Sequence, residues 1–119
     1  MTDRSLTEFV VDEHATLLDA ISTIERNQSR CAVVCSGEKV LGVISEGDVL
    51  RALLRGVEIH RPVEGLYNVA FHFLTEPDDE HALELFRRYG ISMIPVLDEA
   101  FTLKGVVTLH ELLGKVKLA

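Results

Sequence analysis

Gly42-Val43-Ile44-Ser45-Glu46-Gly47-Asp48 and Gly105-Val106-Val107-Thr108-Leu109-His110-Glu111 carry one pattern twice. Each is the end of an apolar strand, then a hydroxyl residue, then an acid three positions on. Each opens an amphipathic helix, Val49-Leu50-Arg51-Ala52-Leu53-Leu54 in the first copy and Leu112-Leu113-Gly114-Lys115-Val116 in the second. The copies lie about half the chain apart, so two similar units are expected rather than a solenoid of many short repeats.

A hydroxyl followed by an acid at this spacing is a capping box. The hydroxyl accepts from a backbone N–H of the first turn, and the acid reaches back to the N–H of the cap and favours the positive end of the helix dipole. The same junction can hold a ligand. Free N–H groups at a helix start attract anions, and an acid beside them can accept from a ribose diol, as in dinucleotide sites. The residues alone leave both roles open.

At 119 residues the chain makes one domain or two very small ones. With 47 % hydrophobic and 26 % charged residues it can bury a core and is not disordered. Twelve basic residues against nineteen acidic leave a net charge of −7, which argues against nucleic acid as a partner. Met1-Thr2-Asp3-Arg4-Ser5 lacks the apolar core of a signal peptide, and no apolar run approaches bilayer length. A cytoplasmic protein with no membrane partner is expected. Cys31 and Cys35 bound the apolar stretch Cys31-Ala32-Val33-Val34-Cys35. Four residues of strand span about 13 Å, too far for a disulfide or one shared metal ion. Both are expected as small core residues in a reducing compartment.

The rest of the chain repeats one plan. Phe9-Val10-Val11 reads as a strand, and Thr16, with Asp19 three residues on, caps a helix whose inner face is Leu17, Ala20, Ile21 and Ile24. Cys31–Cys35 and Val40–Ile44 are strands joined by the turn Ser36-Gly37-Glu38-Lys39. The next helix carries Val49, Leu50, Leu53 and Leu54, with Gly56 as its stop. A packed connection with one helical turn after Pro62 follows. In the second half Phe71-His72-Phe73-Leu74 is the first strand, Ala82, Leu85, Phe86 and Tyr89 are a helix face, and Gly90 is the stop. Ser92–Leu97 and Leu103–Val107 are the paired strands, and Leu109–Val116 is the last helix. Ala20, Ile21 and Ile24 align with Ala82, Leu83 and Phe86, and Val33 and Gly42 with Val96 and Gly105, with a one-residue slip near Ser29. The expected fold is α/β: two β-α-β-β-α repeats, related by a pseudo-two-fold and packed sheet to sheet. Residues 1–56 form the first repeat, 57–69 the connection and 70–119 the second repeat.

This arrangement resembles the CBS domain pair, or Bateman module, named after cystathionine β-synthase. The likeness rests on Gly42 to Asp48 in the first half, and on Ile94-Pro95-Val96-Leu97-Asp98 with Gly105-Val106-Val107-Thr108 in the second. It extends from about Leu6 to Leu118. Gly47-Asp48-Val49-Leu50-Arg51-Ala52-Leu53-Leu54-Arg55-Gly56 with Pro62-Val63-Glu64 is similar, more narrowly, to CBS pairs fused to sugar-phosphate nucleotidyltransferases.

The resemblance implies a regulatory, non-catalytic module that requires no cofactor and binds AMP, ADP, ATP or S-adenosylmethionine in clefts between the repeats. Carried over residue by residue, one site uses Ile44, Ser45 and Asp48, closed by Leu74, Thr75, Met93 and Ile94. A second uses Val107, Thr108 and Glu111, closed by Val11, Arg30 and Cys31. Two departures bear on these sites: Glu111 stands where the family has Asp, and Met93 stands where the first half has Arg30. Each site therefore keeps half of the usual equipment. With the net charge of −7, an adenosine ligand carrying few phosphates is expected over ATP. Arg51 and Arg55 are the other candidate phosphate contacts, although solvated helix-face arginines are the simpler reading. The resemblance also implies a homodimer formed through the helices 49–54 and 109–116, whether or not a ligand binds, and leaves any regulated enzyme unidentified.

Other chemistries fit poorly. A nucleophile elbow at Ser45 needs Gly two residues on either side, and Val43 occupies the first position. Histidines 14, 60, 72, 81 and 110 show neither a base for Ser45 nor metal-ligand spacing. His72 is expected to point away from the core and His110 to face solvent.

Overall fold

The computed structural model describes residues 6–115. Residues 1–5 and 116–119, which include the expected helix end at Val116, lie outside it. A 3-10 turn, Leu6–Phe9, leads into strand β1 (Val10–Asp12), helix α1 (Leu17–Asn27), the hairpin β2 (Cys31–Ser36) and β3 (Lys39–Ser45), and helix α2 (Glu46–Leu54). After the connection come α3 (Asp79–Tyr89), the hairpin β4 (Met93–Leu97) and β5 (Leu103–Thr108), and α4 (Leu109–Lys115). β1 pairs parallel with β2 and β2 antiparallel with β3, giving a three-stranded sheet. β4 and β5 form a two-stranded antiparallel sheet.

Strand alternation sorts the core into layers. Ala32 and Val34 of β2 point to one face, where with Ile44 they meet Leu17, Ala20 and Ile24 of α1 and Val49 and Ala52 of α2. Cys31, Val33 and Cys35 point the other way and pack against Met93 and Leu97 of β4. Ile94 and Val96 of β4 face Ala82 and Phe86 of α3 and Leu112 of α4. The order is helices, sheet, sheet, helices, as the α/β sheet-to-sheet reading expects. Both cysteines are free and buried.

The helix boundaries follow the capping chemistry. Thr16 Oγ1 accepts from Asp19 N at 3.1 Å while Asp19 Oδ2 accepts from Thr16 N at 3.0 Å, a complete capping box. α3 begins at Asp78, which accepts from His81 N, and ends at Gly90 in the left-handed conformation.

Three details differ from the sequence reading. The 3-10 turn takes Phe9, so β1 starts one residue later. Of the four apolar residues expected inside α2, only Val49 is buried, with Ala52 beside it in the same core layer. Leu50 is 59 % and Leu54 86 % exposed. Phe71–Leu74 forms no strand beyond a single parallel bridge, Leu74 to Val96. The reason is chain length. Asn68 is tied to β3 by two backbone bonds with Val43, and Leu74 is tied to β4 through Pro95 and Leu97. The intervening residues are used in crossing from one sheet to the other, and Pro77 and the α3 cap follow at once.

Candidate functional site

The β2–β3 hairpin register builds one wall of a cleft. Cys31 lies opposite Ser45, so Arg30, just before β2, meets the first residue of α2. Glu46 N donates to the Arg30 carbonyl at 2.9 Å, and Arg30 Nε donates to Glu46 Oε1 at 3.3 Å. Arg30 itself has φ +69, the left-handed region that a side chain disfavours. Ser45 caps α2: its Oγ accepts from Asp48 N at 3.1 Å, and Asp48 Oδ2 accepts from Ser45 N at 2.9 Å. Asp48 Oδ1 accepts from Arg51 Nη2 at 2.9 Å. One oxygen of Asp48 is thus fixed by the cap, while the other is held by an exposed i, i+3 arginine. Such a surface pair contributes under about 1 kcal/mol, so little free energy holds Arg51 on Oδ1.

The second half supplies the other wall. Phe71 and His72, from the segment crossing between the sheets, line it together with Ile91, Ser92 and Met93, between α3 and β4. His72 stacks on Tyr89 with ring centroids 4.1 Å apart and planes tilted 24°. Ser92 Oγ donates to the Ser29 carbonyl at 2.7 Å and so joins the two walls. The cleft between them holds about 360 Å³, within the range of roughly 300–1,000 Å³ in which small-molecule sites fall. Two arginines and two acids, Arg30, Arg51, Glu46 and Asp48, balance at its mouth. The Cys31 thiol is pushed up to about 12, mainly by burial and then by the charges of Asp48 and Glu46, so it is neutral.

The structure brings together Ser45, Asp48 and Met93 of the first expected site with Arg30 and Cys31 of the second. Ile44 is fully buried beneath the helices, on the opposite face of β3 from Val43 and Ser45. Leu74 and Ile94 lie in the core against α3, and Thr75 is exposed and away from the cleft. Val11 is buried against α1 and Val107 against α4. Thr108 is buried, and its Oγ1 donates to Glu111 Oε1 at 3.0 Å while accepting from Glu111 N. Glu111 thereby turns onto the hydroxyl, where Asp48 instead reaches the backbone N–H of its cap. Val11, Val107, Thr108 and Glu111 do not line the cleft.

Strand parity was the available signal for these differences. Residues flanking Ile44 and Ile94, not those two themselves, face the gap between sheets. In sequence Arg51 reads most simply as a solvated helix-face arginine, and Phe71 and His72 read as strand. Among the described residues no group of three or more His, Cys, Asp or Glu is placed to hold a metal ion. None of the described helices is long and apolar enough to cross a membrane.

The model of the CBS domain family matches residues 3–55 and 78–118. The chain is 33 % identical over 114 residues to an A-adding tRNA nucleotidyltransferase of Aquifex aeolicus, covering 92 % of this chain and 13 % of that protein. It therefore spans a small part of the length of that relative. Among solved structures it is similar to a CBS domain protein of Pyrobaculum aerophilum complexed with AMP, with a TM-score of 0.73 and 22 % identity over 92 % of this chain and 89 % of that one. A CBS domain pair/ACT domain protein of Thermotoga maritima gives a TM-score of 0.71 at 27 % identity, over 88 % of this chain and 84 % of that one.

Proposed function

The chain belongs to the CBS domain family, as a tandem pair, and on that premise we propose that it is a regulatory module sensing an adenosine ligand in the cleft between its repeats. The observation that carries this reading is the convergence of both halves on that cleft. The α2 start offers a capped acid with a displaceable arginine, and the second half offers Phe71, Ile91 and Met93 as apolar surface for a base. The AMP held by the Pyrobaculum aerophilum protein supports the ligand class. Asp48 would accept from the ribose hydroxyls once Arg51 turns away, and Arg51 and Arg30 would meet phosphate. Two cations suit one or two phosphates better than three, so AMP or ADP is preferred over ATP, with S-adenosylmethionine as the zwitterionic alternative. Ligand bridging both walls would favour one relative orientation of the repeats, which is how such a module passes a signal on. This reading assigns the module a regulatory role and no catalytic step. The two buried free thiols suit a reducing, cytoplasmic setting.

The test is a thermal-shift panel of AMP, ADP, ATP and S-adenosylmethionine on wild type, Asp48→Ala and Arg51→Gln. A ligand that binds only the folded state raises its stability. Stabilisation by one compound, reduced in both variants, supports the reading. No shift at millimolar concentrations removes it.

A second reading, assembly without ligand, is favoured by Leu50, Leu54 and Leu113, which leave apolar surface exposed on α2 and α4. These helices would pair two copies of the chain. Leu54→Glu should then convert a dimer to a monomer by light scattering; a monomeric wild type would exclude this.

A further inference from the structure

We infer that Gly47 is a positioning residue for the cleft: its missing side chain makes the seat that holds the Arg51 guanidinium over the start of α2. Through Arg51 it sets the preference for phosphorylated over unphosphorylated adenosine ligands. The inference rests on the adenosine-ligand reading above and deepens it.

Glycine is out of place here on local grounds. Gly47 lies inside α2, where only proline is less favourable, and its backbone is not in the left-handed region that calls for glycine. What the position requires is space. A Cβ on Gly47 would stand 3.2 Å from Nη1, 3.3 Å from Nη2 and 3.6 Å from Cζ of Arg51, so the forked end of the guanidinium fills the volume that a side chain would take. From there Nη2 donates to Asp48 Oδ1 at 2.9 Å. With Arg51 64 % exposed, that ion pair is too weak to fix a long side chain by itself. The seat at Gly47 supplies the second constraint, and Gly47, Asp48 and Arg51 all line the cleft.

The second repeat is an internal control. Counting on from the capping hydroxyls Ser45 and Thr108, Gly47 answers to His110 and Arg51 to Gly114. Where α4 lacks the arginine, it also lacks the glycine two residues after the cap. A Cβ on Gly114 would meet nothing within 4 Å, and Glu111 is turned onto the Thr108 hydroxyl at 3.0 Å. An arginine seated on the helix start stays beside Asp48 when a ribose hydroxyl takes its place on Oδ1, and keeps its charge at the mouth of the cleft. Pushed off the seat, the same side chain would extend into solvent and a phosphate would lose a charge-assisted partner.

The test compares dissociation constants of AMP and adenosine for wild type, Gly47→Ala, Gly47→Leu, Arg51→Gln and the double variant Gly47→Leu with Arg51→Gln. Alanine asks the guanidinium to give only slightly, so Gly47→Ala should bind AMP close to wild type. Gly47→Leu should weaken AMP roughly three- to tenfold, as Arg51→Gln does. The two changes should not add: the double variant should bind AMP no more weakly than Arg51→Gln alone. Adenosine should bind every variant at least as well as wild type. Leucine that weakens AMP further in the Arg51→Gln background, or weakens adenosine as much as AMP, blocks the cleft directly and overturns the positioning role. An AMP affinity unchanged by Gly47→Leu overturns it too. The ligand-free readout is the Arg51 side-chain Nε–H resonance in a nitrogen-correlated NMR spectrum, which should move to the position of a solvated arginine in Gly47→Leu. An unmoved resonance overturns the seat. Failure of wild type to bind either compound removes the adenosine reading, and the resonance then decides the role of Gly47 by itself. Thermal unfolding of each variant checks that folding is retained.

Discussion

Ser92 Oγ donates a 2.7 Å hydrogen bond to the carbonyl oxygen of Ser29, tying the residue before β4 to the junction between α1 and β2. The two serines are not counterparts: Cys31 pairs with Ser45 as Met93 pairs with Thr108, so β2 and β4 align at an interval of 62, one less than the sequence alignment expects, and Ser92 answers to Arg30. The bond is not reciprocated: Ser29 Oγ instead donates to the Asn27 carbonyl. The repeats are thus symmetric in plan and asymmetric in detail, and the candidate site lies on the side where Ser92 reaches across.

Removing this link should loosen the pair without unfolding either half. Ser92→Ala is expected to cost about 1 kcal/mol, the usual net value of such a bond, in a urea unfolding curve. An unchanged midpoint would mean that sheet packing alone joins the repeats.

Gly42 and Gly105 occupy matching motif positions for different reasons. A Cβ on Gly42 would collide with the Tyr67 ring and approach the Asn68 carbonyl oxygen to 2.5 Å, and that backbone is held by Val43. A Cβ on Gly105 would meet nothing within 4 Å. Gly42→Ala should destabilise by about 1–3 kcal/mol, whereas Gly105→Ala should be neutral or gain up to about 1 kcal/mol by restricting the unfolded chain. Equal effects in calorimetry would contradict this packing argument.

Arg30 separates function from stability. Its left-handed backbone is strained for a side chain and natural for glycine. Arg30→Gly should therefore keep or raise stability by up to about 1 kcal/mol, while AMP binding weakens roughly three- to tenfold. Calorimetric titration beside a melting curve reads both; undiminished affinity would remove Arg30 from the site.

Asp19 and Asp98 are expected to contribute to the acid limb of stability. Asp19 is held below the usual carboxylate range by hydrogen bonds from the Thr16 backbone and side chain. Asp98 is lowered chiefly by the Thr102 backbone N–H, with Ala100 and Lys104 adding to it. A depressed folded value means a contribution fully present above the unfolded pKa of about 3.9 and lost as pH falls through the lower folded value. Asp19→Asn with Asp98→Asn should thus lose less stability than wild type between pH 5 and pH 2.5 in denaturant titrations. Parallel losses would show that other carboxylates dominate.

Much of this molecule was legible in the sequence because its signals are local. The capping boxes at Thr16 and Ser45, the stop at Gly90 and the apolar strands at Cys31 and Met93 are each set by neighbouring residues. The matching halves gave the fold class. The site was less legible because it depends on pairing. Aligning the repeats put Arg30 beside Glu111, but the antiparallel register of Cys31 with Ser45 puts it beside Glu46. Ile44 and Ile94 adjoin the motif in sequence, while strand parity turns both toward the helices. Phe71 and His72 have strand-like composition, yet the span from Asn68 to Leu74 is consumed in crossing between sheets.

The most direct test of a ligand cleft made by both repeats is an amide NMR titration of the protein with AMP. The account predicts concerted shifts at Ser45, Gly47 and Asp48 in the first repeat and at Phe71, Ser92 and Met93 in the second, all fitting one dissociation constant. No shifts up to millimolar AMP, or shifts confined to one repeat, would contradict it.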